Sequence, residues 1–271
     1  MAELGNFSLV MALATAAYAV VASVLAARTK RINLTFSSEN AMHACFGLCL
    51  LAMVSLEYLF LNDRFDVHYV GTHSSRDLPT PYKFTALWSG MQGSLLLWAF
   101  LLAGFSSFAV RKTRSFRGPL ASYATLILAV VEVFFLALLV TYENPFDTIS
   151  IKPPDGQGMN PLLVHPAMAI HPPMLYLGYV GFVVPYAFAM AALLSRQLDE
   201  EWIRITRRWT IVPWFFLGTG QLLGGKWAYV VLGWGGYWGW DPVENAALLP
   251  WLTGTAFLHS VIIQEKKGML K

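Results

Sequence analysis

The sequence predicts an all-α integral membrane protein, a polytopic helical bundle of about seven transmembrane helices with its N-terminus outside. Three observations predict it. Hydrophobic residues make up 56% of the chain and charged residues only 13%, about half the charged fraction of an ordinary soluble domain. Mean hydropathy is +0.51. Apolar runs of about 20 residues, long enough to cross a hydrocarbon core of roughly 30 Å, recur along the whole chain. They lie near 6–27, 41–61, 91–110, 120–140, 172–194, 209–224 and 242–263. With no internal repeat and no low-complexity linker between them, residues 1–271 read as a single integral membrane domain.

The first run is retained as a helix rather than a cleaved signal peptide, because MAELGNFS lacks a basic leader and the apolar stretch is too long. Basic residues orient the rest, since Lys and Arg in short loops stay cytoplasmic. Arg28, Lys30 and Arg31 follow the first span, and Arg111, Lys112, Arg114 and Arg117 the third. Arg196, Arg204, Arg207 and Arg208 follow the fifth, and Lys266, Lys267 and Lys271 the seventh. The net charge of +3 is therefore an orientation signal and gives no support to a nucleic-acid role. Cys45 and Cys49 lie four apart within the second span, without the spacing of a redox or haem-attachment motif, and read as packing residues.

This topology leaves three outer segments, at about 62–90, 141–171 and 225–245. The last is the most unusual part of the chain. Residues 224–251 hold five of its ten tryptophans: Trp227, Trp234, Trp238, Trp240 and Trp251. Interfacial belts account for one or two such residues. Five, interleaved with Gly233, Gly235, Gly236 and Gly239, read instead as a greasy planar surface on which a flat ligand stacks.

Two histidines are candidate metal ligands. His171 precedes Pro172 and Pro173, which suit the first turn of a helix. An imidazole at that helix mouth stays neutral and free to bind metal, or else is a boundary histidine bonded to a loop. Asp241-Pro242-Val243-Glu244 has the pattern of a helix start, with Asp241 as N-cap and Glu244 reaching back. Glu244 and Asn245 are also placed to face the aromatic surface. From Asp241 the seventh helix runs inward, which puts His259 about 27 Å deeper. An ionisable group there is a functional candidate; the alternative is a histidine bonded to a neighbouring helix. Iron suits both imidazoles, because haem commonly takes axial histidines in apolar pockets.

The run WGGYWGWDPVENAALLPWLTGTAFLH resembles the tryptophan-rich WWD signature of haem-handling proteins, and specifically the CcmF family of cytochrome c maturation. PLLVHPAMAIHPPMLYLGYVGF and ALWSGMQGSLLLWAFLL are similar to further segments of that family, so the likeness covers essentially the whole chain. The resemblance implies a component of a cytochrome c haem lyase (holocytochrome c synthase) in the bacterial inner membrane, with its site facing the periplasm. Haem would arrive from the chaperone CcmE, dock transiently at the WWD segment and be attached to apocytochrome c, with CcmH as thiol-reducing partner. His171 matches an outer axial ligand, and His259 matches a ligand to a second, b-type haem within the membrane.

The sequence also departs from the family pattern. Met91 and Gln92 stand where a His-Glu pair is more usual, and the chain stops soon after His259, before the second histidine of each pair. The resemblance thus implies an N-terminal half or split form, whose remaining half or a partner subunit completes both sites. Two other classes stay open, a haem exporter or channel and a bis-haem, quinol-linked electron carrier.

Overall fold

The computed structural model describes residues 1–113, 119–198, 201–233 and 235–267. Trp234, and Arg114, Arg117 and Lys271 of the orientation pattern, lie outside the described residues. The chain divides into two compact units, Met1–Val164 and His165–Lys271, and each is described by itself.

The first unit is a helical bundle built from α1 (Ala2–Thr29), α2 (Ile32–Leu61), α5 (Met91–Thr113) and α6 (Pro119–Thr141), with the short helices α3 (His68–His73) and α4 (Thr80–Thr85) between α2 and α5. Helix α1 packs on α2 and α6, and α5 packs on the same two. The seam follows from sequence. Buried positions on α1 are Gly5, Ser8, Leu9, Ala12, Ala16, Ala19, Ala22, Ser23 and Ala26, a stripe of mostly small residues at three- and four-residue spacing that lets helix backbones approach closely. The opposite faces present Phe7, Val21, Val54, Phe108 and Phe134, all exposed, as expected of surfaces meeting lipid rather than water.

Outside the bundle, the predicted segment 62–90 and the start of the predicted segment 141–171 are stitched together. His68 N–H donates to Asp147 O (2.8 Å), Ile149 N–H to Asp66 O (2.9 Å) and Gln157 N–H to Gly71 O (2.8 Å). Arg64 grips Asp66 through two hydrogen bonds, which holds the Asp66 carboxyl below the usual carboxylate range. Two loops that the charge pattern assigns to one side of the membrane therefore meet in one layer.

The second unit contains α7 (Pro166–Gly181), α8 (Val183–Ser195), α9 (Glu201–Trp227) and α10 (Pro242–Lys267). Its core is Leu175 on α7, Leu217 on α9 and Ala247 on α10, flanked by Tyr179, Phe182 and Trp251. Glycine makes the α7–α9 contact possible. A methyl group added at Gly178 would come within 2.7 Å of the Leu217 backbone nitrogen, so the two helices approach closer than any larger residue permits. After α9 the chain widens into one π-helical turn, Ala228–Leu232, which stops at Gly233 with φ of 69°.

Six helical segments are long and apolar enough to cross a membrane among the described residues: Ala2–Thr29, Ile32–Leu61, Met91–Lys112, Pro119–Thr141, Pro166–Ser195 and Pro242–Gln264. The expected span 209–224 lies within α9, which is long enough but diluted by Pro213, Trp214, Thr219, Gln221 and several glycines. The expected start of the fifth span needs correction. The helix begins at Pro166, not Pro172, because His165 serves as N-cap and its Nδ1 accepts from Ala167 N–H (3.1 Å). Pro172 and Pro173 fall inside α7, and His171 sits more than a turn beyond the helix mouth.

Candidate functional site

The second unit places one end of α7, α9 and α10 around a cavity of about 260 Å³. His171, Trp227, Trp238, Asp241 and Glu244 all line it. These five come from three separate parts of the sequence, so the fold brings together most of the residues singled out by their chemistry.

His171 is held from both sides. Its Nδ1 lies 2.8 Å from Gly220 O; a carbonyl only accepts, so Nδ1 carries a proton, and in the neutral ring Nε2 keeps the lone pair. Trp227 stacks on the ring at 6.5 Å between centroids with planes 15° apart. The ring lies flush on α9 because residue 224 is glycine: a Cβ there would stand 2.8 Å from Nδ1 and 3.1 Å from Nε2. Gly220 and Gly224 share one helix face at i, i+4, and a Cβ at Gly220 would meet the Leu175 side chain. The imidazole therefore owes its Nδ1–H arrangement and its orientation to the α9 backbone and not to a helix N-terminus.

The loop before α10 is a capping box. Glu244 N–H donates to Asp241 Oδ1 (2.7 Å), while Glu244 Oε2 accepts from Gly239 N–H (2.9 Å) and Asp241 N–H (3.3 Å). Both carboxylates line the cavity, yet both are engaged by backbone donors. Asn245 is spent in the same way, its Nδ2 donating to Trp240 O (3.0 Å). That contact pins a strained residue, since Trp240 has φ of 56°, a region that bulky side chains rarely adopt.

The aromatic residues do not form one flat shelf. Trp238 and Trp240 meet edge to face at 5.8 Å, and Tyr229 and Tyr237 stack on each other at 4.5 Å. Trp240 is 68% exposed and does not line the cavity. Trp251, more than two turns into α10, stacks on Trp214 at 5.5 Å. That pair forms part of a second, apolar cavity of about 590 Å³. Trp238, Gln221 and Gly225 line both cavities, and the buried Trp238 Nε1 has no hydrogen-bond partner among the described residues.

His259 stands apart, on an exposed stretch of α10. Its Nδ1 lies 2.8 Å from Thr255 O, so the same logic leaves its Nε2 with the lone pair. The sequence did not single out Gln221, Gly220, Gly224 or Trp214. The glycine spacing in GTGQLLGG was the available signal, since small residues four apart mark a close helix contact.

A family model described as cytochrome C assembly protein matches residues 88–271. The chain is 42% identical over 270 residues to a protein of Pseudomonas fluorescens named cytochrome c-type biogenesis protein CcmF, covering 99% of this chain and 41% of that protein. It is 42% identical to the CcmF protein of Escherichia coli K12, covering 100% of this chain and 42% of that one. A solved structure titled cytochrome c haem lyase CcmF superimposes with a TM-score of 0.86 at 35% identity, covering 99% of this chain and 43% of that chain. The chain thus spans about two fifths of the length of the relatives it matches.

Proposed function

The chain belongs to the cytochrome c assembly protein family, and from that premise we propose that it is a haem-receiving subunit of a cytochrome c maturation apparatus. It is a multi-pass membrane protein. In this reading His171 holds haem iron at the periplasmic face of a bacterial inner membrane, and Trp227 and Trp238 shield the macrocycle from water. One observation carries the reading: an imidazole fixed as the Nδ1–H tautomer, on the wall of a cavity that also presents two indoles. Histidine that ligates metal commonly donates its other ring N–H to a carbonyl or carboxylate, which fixes the ring and raises its basicity. At about 260 Å³ the cavity lies just under the range typical of ligand pockets, so in this reading it takes only the ligated edge of a porphyrin.

Haem is here a substrate, whose vinyl groups accept the cysteine thiols of apocytochrome c. The chain's own residues bind, orient and exclude water. Asp241 and Glu244 shape the loop through its backbone N–H groups, and no proton transfer is assigned to them. Supply by a CcmE-type carrier, thiol reduction by a CcmH-type partner, and completion of the iron's coordination by a further half or partner subunit belong to the same reading. His259, with its Nε2 also left free, is proposed as one ligand to a separate b-type haem, and this second metal-competent imidazole is also what favours the electron-carrier alternative.

The test is haem titration of the purified chain in nanodiscs. We expect weak binding with a high-spin, five-coordinate spectrum, lost in His171→Ala at the outer site and in His259→Ala at the deep one. A stable low-spin spectrum from the chain alone, or His171→Ala binding like the parent, would sink the assignment. For ligation against electron transfer, Trp238→Ala with Trp240→Ala should abolish haem transfer to apocytochrome while sparing the deep haem's spectrum.

A further inference from the structure

The first unit contains a polar cluster that plays no part in the site above. Cys45 and Cys49 stand four residues apart on one face of α2, and Glu132 faces them from α6; one sulfur from each cysteine and one carboxylate oxygen all lie within 4.8 Å of one another. All three residues are 0% exposed. Apart from the hydrogen bond between the two thiols, their partners are distant. The Cys45 thiol reaches Ala12 O at 3.7 Å, and the Cys49 thiol reaches Glu132 Oε1 only at 4.0 Å. Glu132 Oε2 has no hydrogen-bond partner among the described residues.

Packing explains two buried cysteines, which behave as small apolar residues. It does not explain a glutamate. A buried carboxyl group without a full set of partners costs several kcal/mol in an apolar interior, and ionisable groups inside a membrane bundle mark function. The ligand set indicates what would compensate it. Two sulfurs and one oxygen on facing helices suit a thiophilic ion of the zinc type, with metal–sulfur bonds of about 2.3 Å and metal–oxygen bonds of about 2.1 Å. Donor atoms around such a tetrahedral centre lie roughly 3.5–3.8 Å apart, so small side-chain rotations close the cluster onto an ion.

We propose that Cys45, Cys49 and Glu132 form a membrane-buried site for one thiophilic divalent cation. Charge favours a divalent ion over monovalent copper. As the ion enters, two sulfur–metal bonds form and both thiol protons leave to water. Two thiolates then cancel the ion's two charges, and Glu132, its proton leaving with theirs, joins as a carboxylate, so that the loaded cluster carries one net negative charge where a monovalent ion would leave two. No electron is transferred. The site ties α2 to α6 and does not depend on the haem assignment.

Cadmium is the probe, because thiolate–cadmium charge transfer reports sulfur ligation and ignores histidine. The full chain, stripped with a chelator and held in nanodiscs, is expected to take up one Cd²⁺ with a sulfur–cadmium band. It should also unfold at a higher temperature when loaded. Cys45→Ser with Cys49→Ser should lose the band, and Glu132→Gln should bind more weakly while folding normally. Since the chain has only two cysteines, thiol labelling of the unaltered protein gives a second reading, slowed by Zn²⁺ if the site exists. Absence of the band in the unaltered chain, or identical labelling with and without Zn²⁺, overturns the proposal.

Discussion

Replacing Gly224 with alanine tests whether the α9 backbone is what prepares His171. The added Cβ would lie 2.8 Å from Nδ1 and 3.1 Å from Nε2, whereas non-bonded atoms settle at about 3.5 Å. The ring's Cε1 would lie closer still, so the ring must retreat by about 1 Å. Its Nδ1···Gly220 O distance is 2.8 Å, and a shift of that size carries it to the outer limit of a hydrogen bond or beyond. Losing the bond costs about 0.5–1.5 kcal/mol and overpacking about 1–3 kcal/mol. Improved helix propensity returns about 1 kcal/mol, for a net destabilisation of about 0.5–3.5 kcal/mol. The larger effect is on ligation, because loss of such a supporting contact typically weakens metal binding by about 10–100-fold. Haem titration by Soret absorbance measures the affinity and thermal unfolding measures the stability. Gly47→Ala is the control: a Cβ there meets nothing within 4 Å, so it should leave haem binding intact and stabilise α2 by about 0.5–1 kcal/mol. Parental haem affinity in Gly224→Ala would refute the argument that this glycine positions the imidazole.

Gly178→Ala places a methyl group 2.7 Å from the Leu217 backbone nitrogen, where no side chain can yield, so α7 and α9 must separate; we expect at least about 2 kcal/mol of lost stability, and an unchanged melting temperature would contradict the close contact. Asp241→Ala removes the acceptor for Glu244 N–H (2.7 Å) and should cost about 0.5–2 kcal/mol, whereas Asp241→Asn should be nearly neutral; equal losses in both would point to a role for the charge itself. Burial lowers the pKa of His73, whose Nδ1 bonds Tyr69 O at 3.0 Å. Its contribution to stability is therefore full above the unfolded value of about 6.5 and is lost as pH falls through the lower folded value. The melting temperature of the parent should drop more than that of His73→Gln between about pH 7.5 and pH 5, and parallel pH profiles would count against it.

Long apolar runs made the spans readable, because membrane crossing is decided by length and composition, which a sequence states directly. The capping box was readable for a similar reason: Asp241, Pro242 and Glu244 act within one turn. The start of α7 was not. Pro172-Pro173 and Pro166 are both competent helix openings, and His165 decides between them by accepting from Ala167 N–H, a choice that only a formed turn reveals. The aromatic surface misled for a related reason. Tryptophans close in sequence need not share a plane, and ten residues of helix carry Trp251 away from Trp240 to stack on Trp214. The glycine face of α9 went unread because its meaning depends on what α7 lays against it.

These details change what recognition at the site must rest on. Sequence position placed Glu244 and Asn245 to face the aromatic surface, where a carboxylate would repel anionic groups and an amide would donate to them. The folded loop consumes both, with Glu244 satisfying Gly239 and Asp241 N–H and Asn245 satisfying Trp240 O. A carboxylate that accepts two backbone donors at a helix N-terminus is held there by hydrogen bonds and by the helix dipole together. Turning it toward a ligand would leave two donors unpaired. Of the polar groups considered for the cavity, His171 Nε2 and the unpartnered Trp238 Nε1 are then the ones without a protein partner, a Lewis base and a single donor on a wall that also carries Gln221 and two carboxylates already engaged by the loop. In the proposed reading such a wall discriminates by what the ligand brings, a flat apolar body with an open metal coordination position.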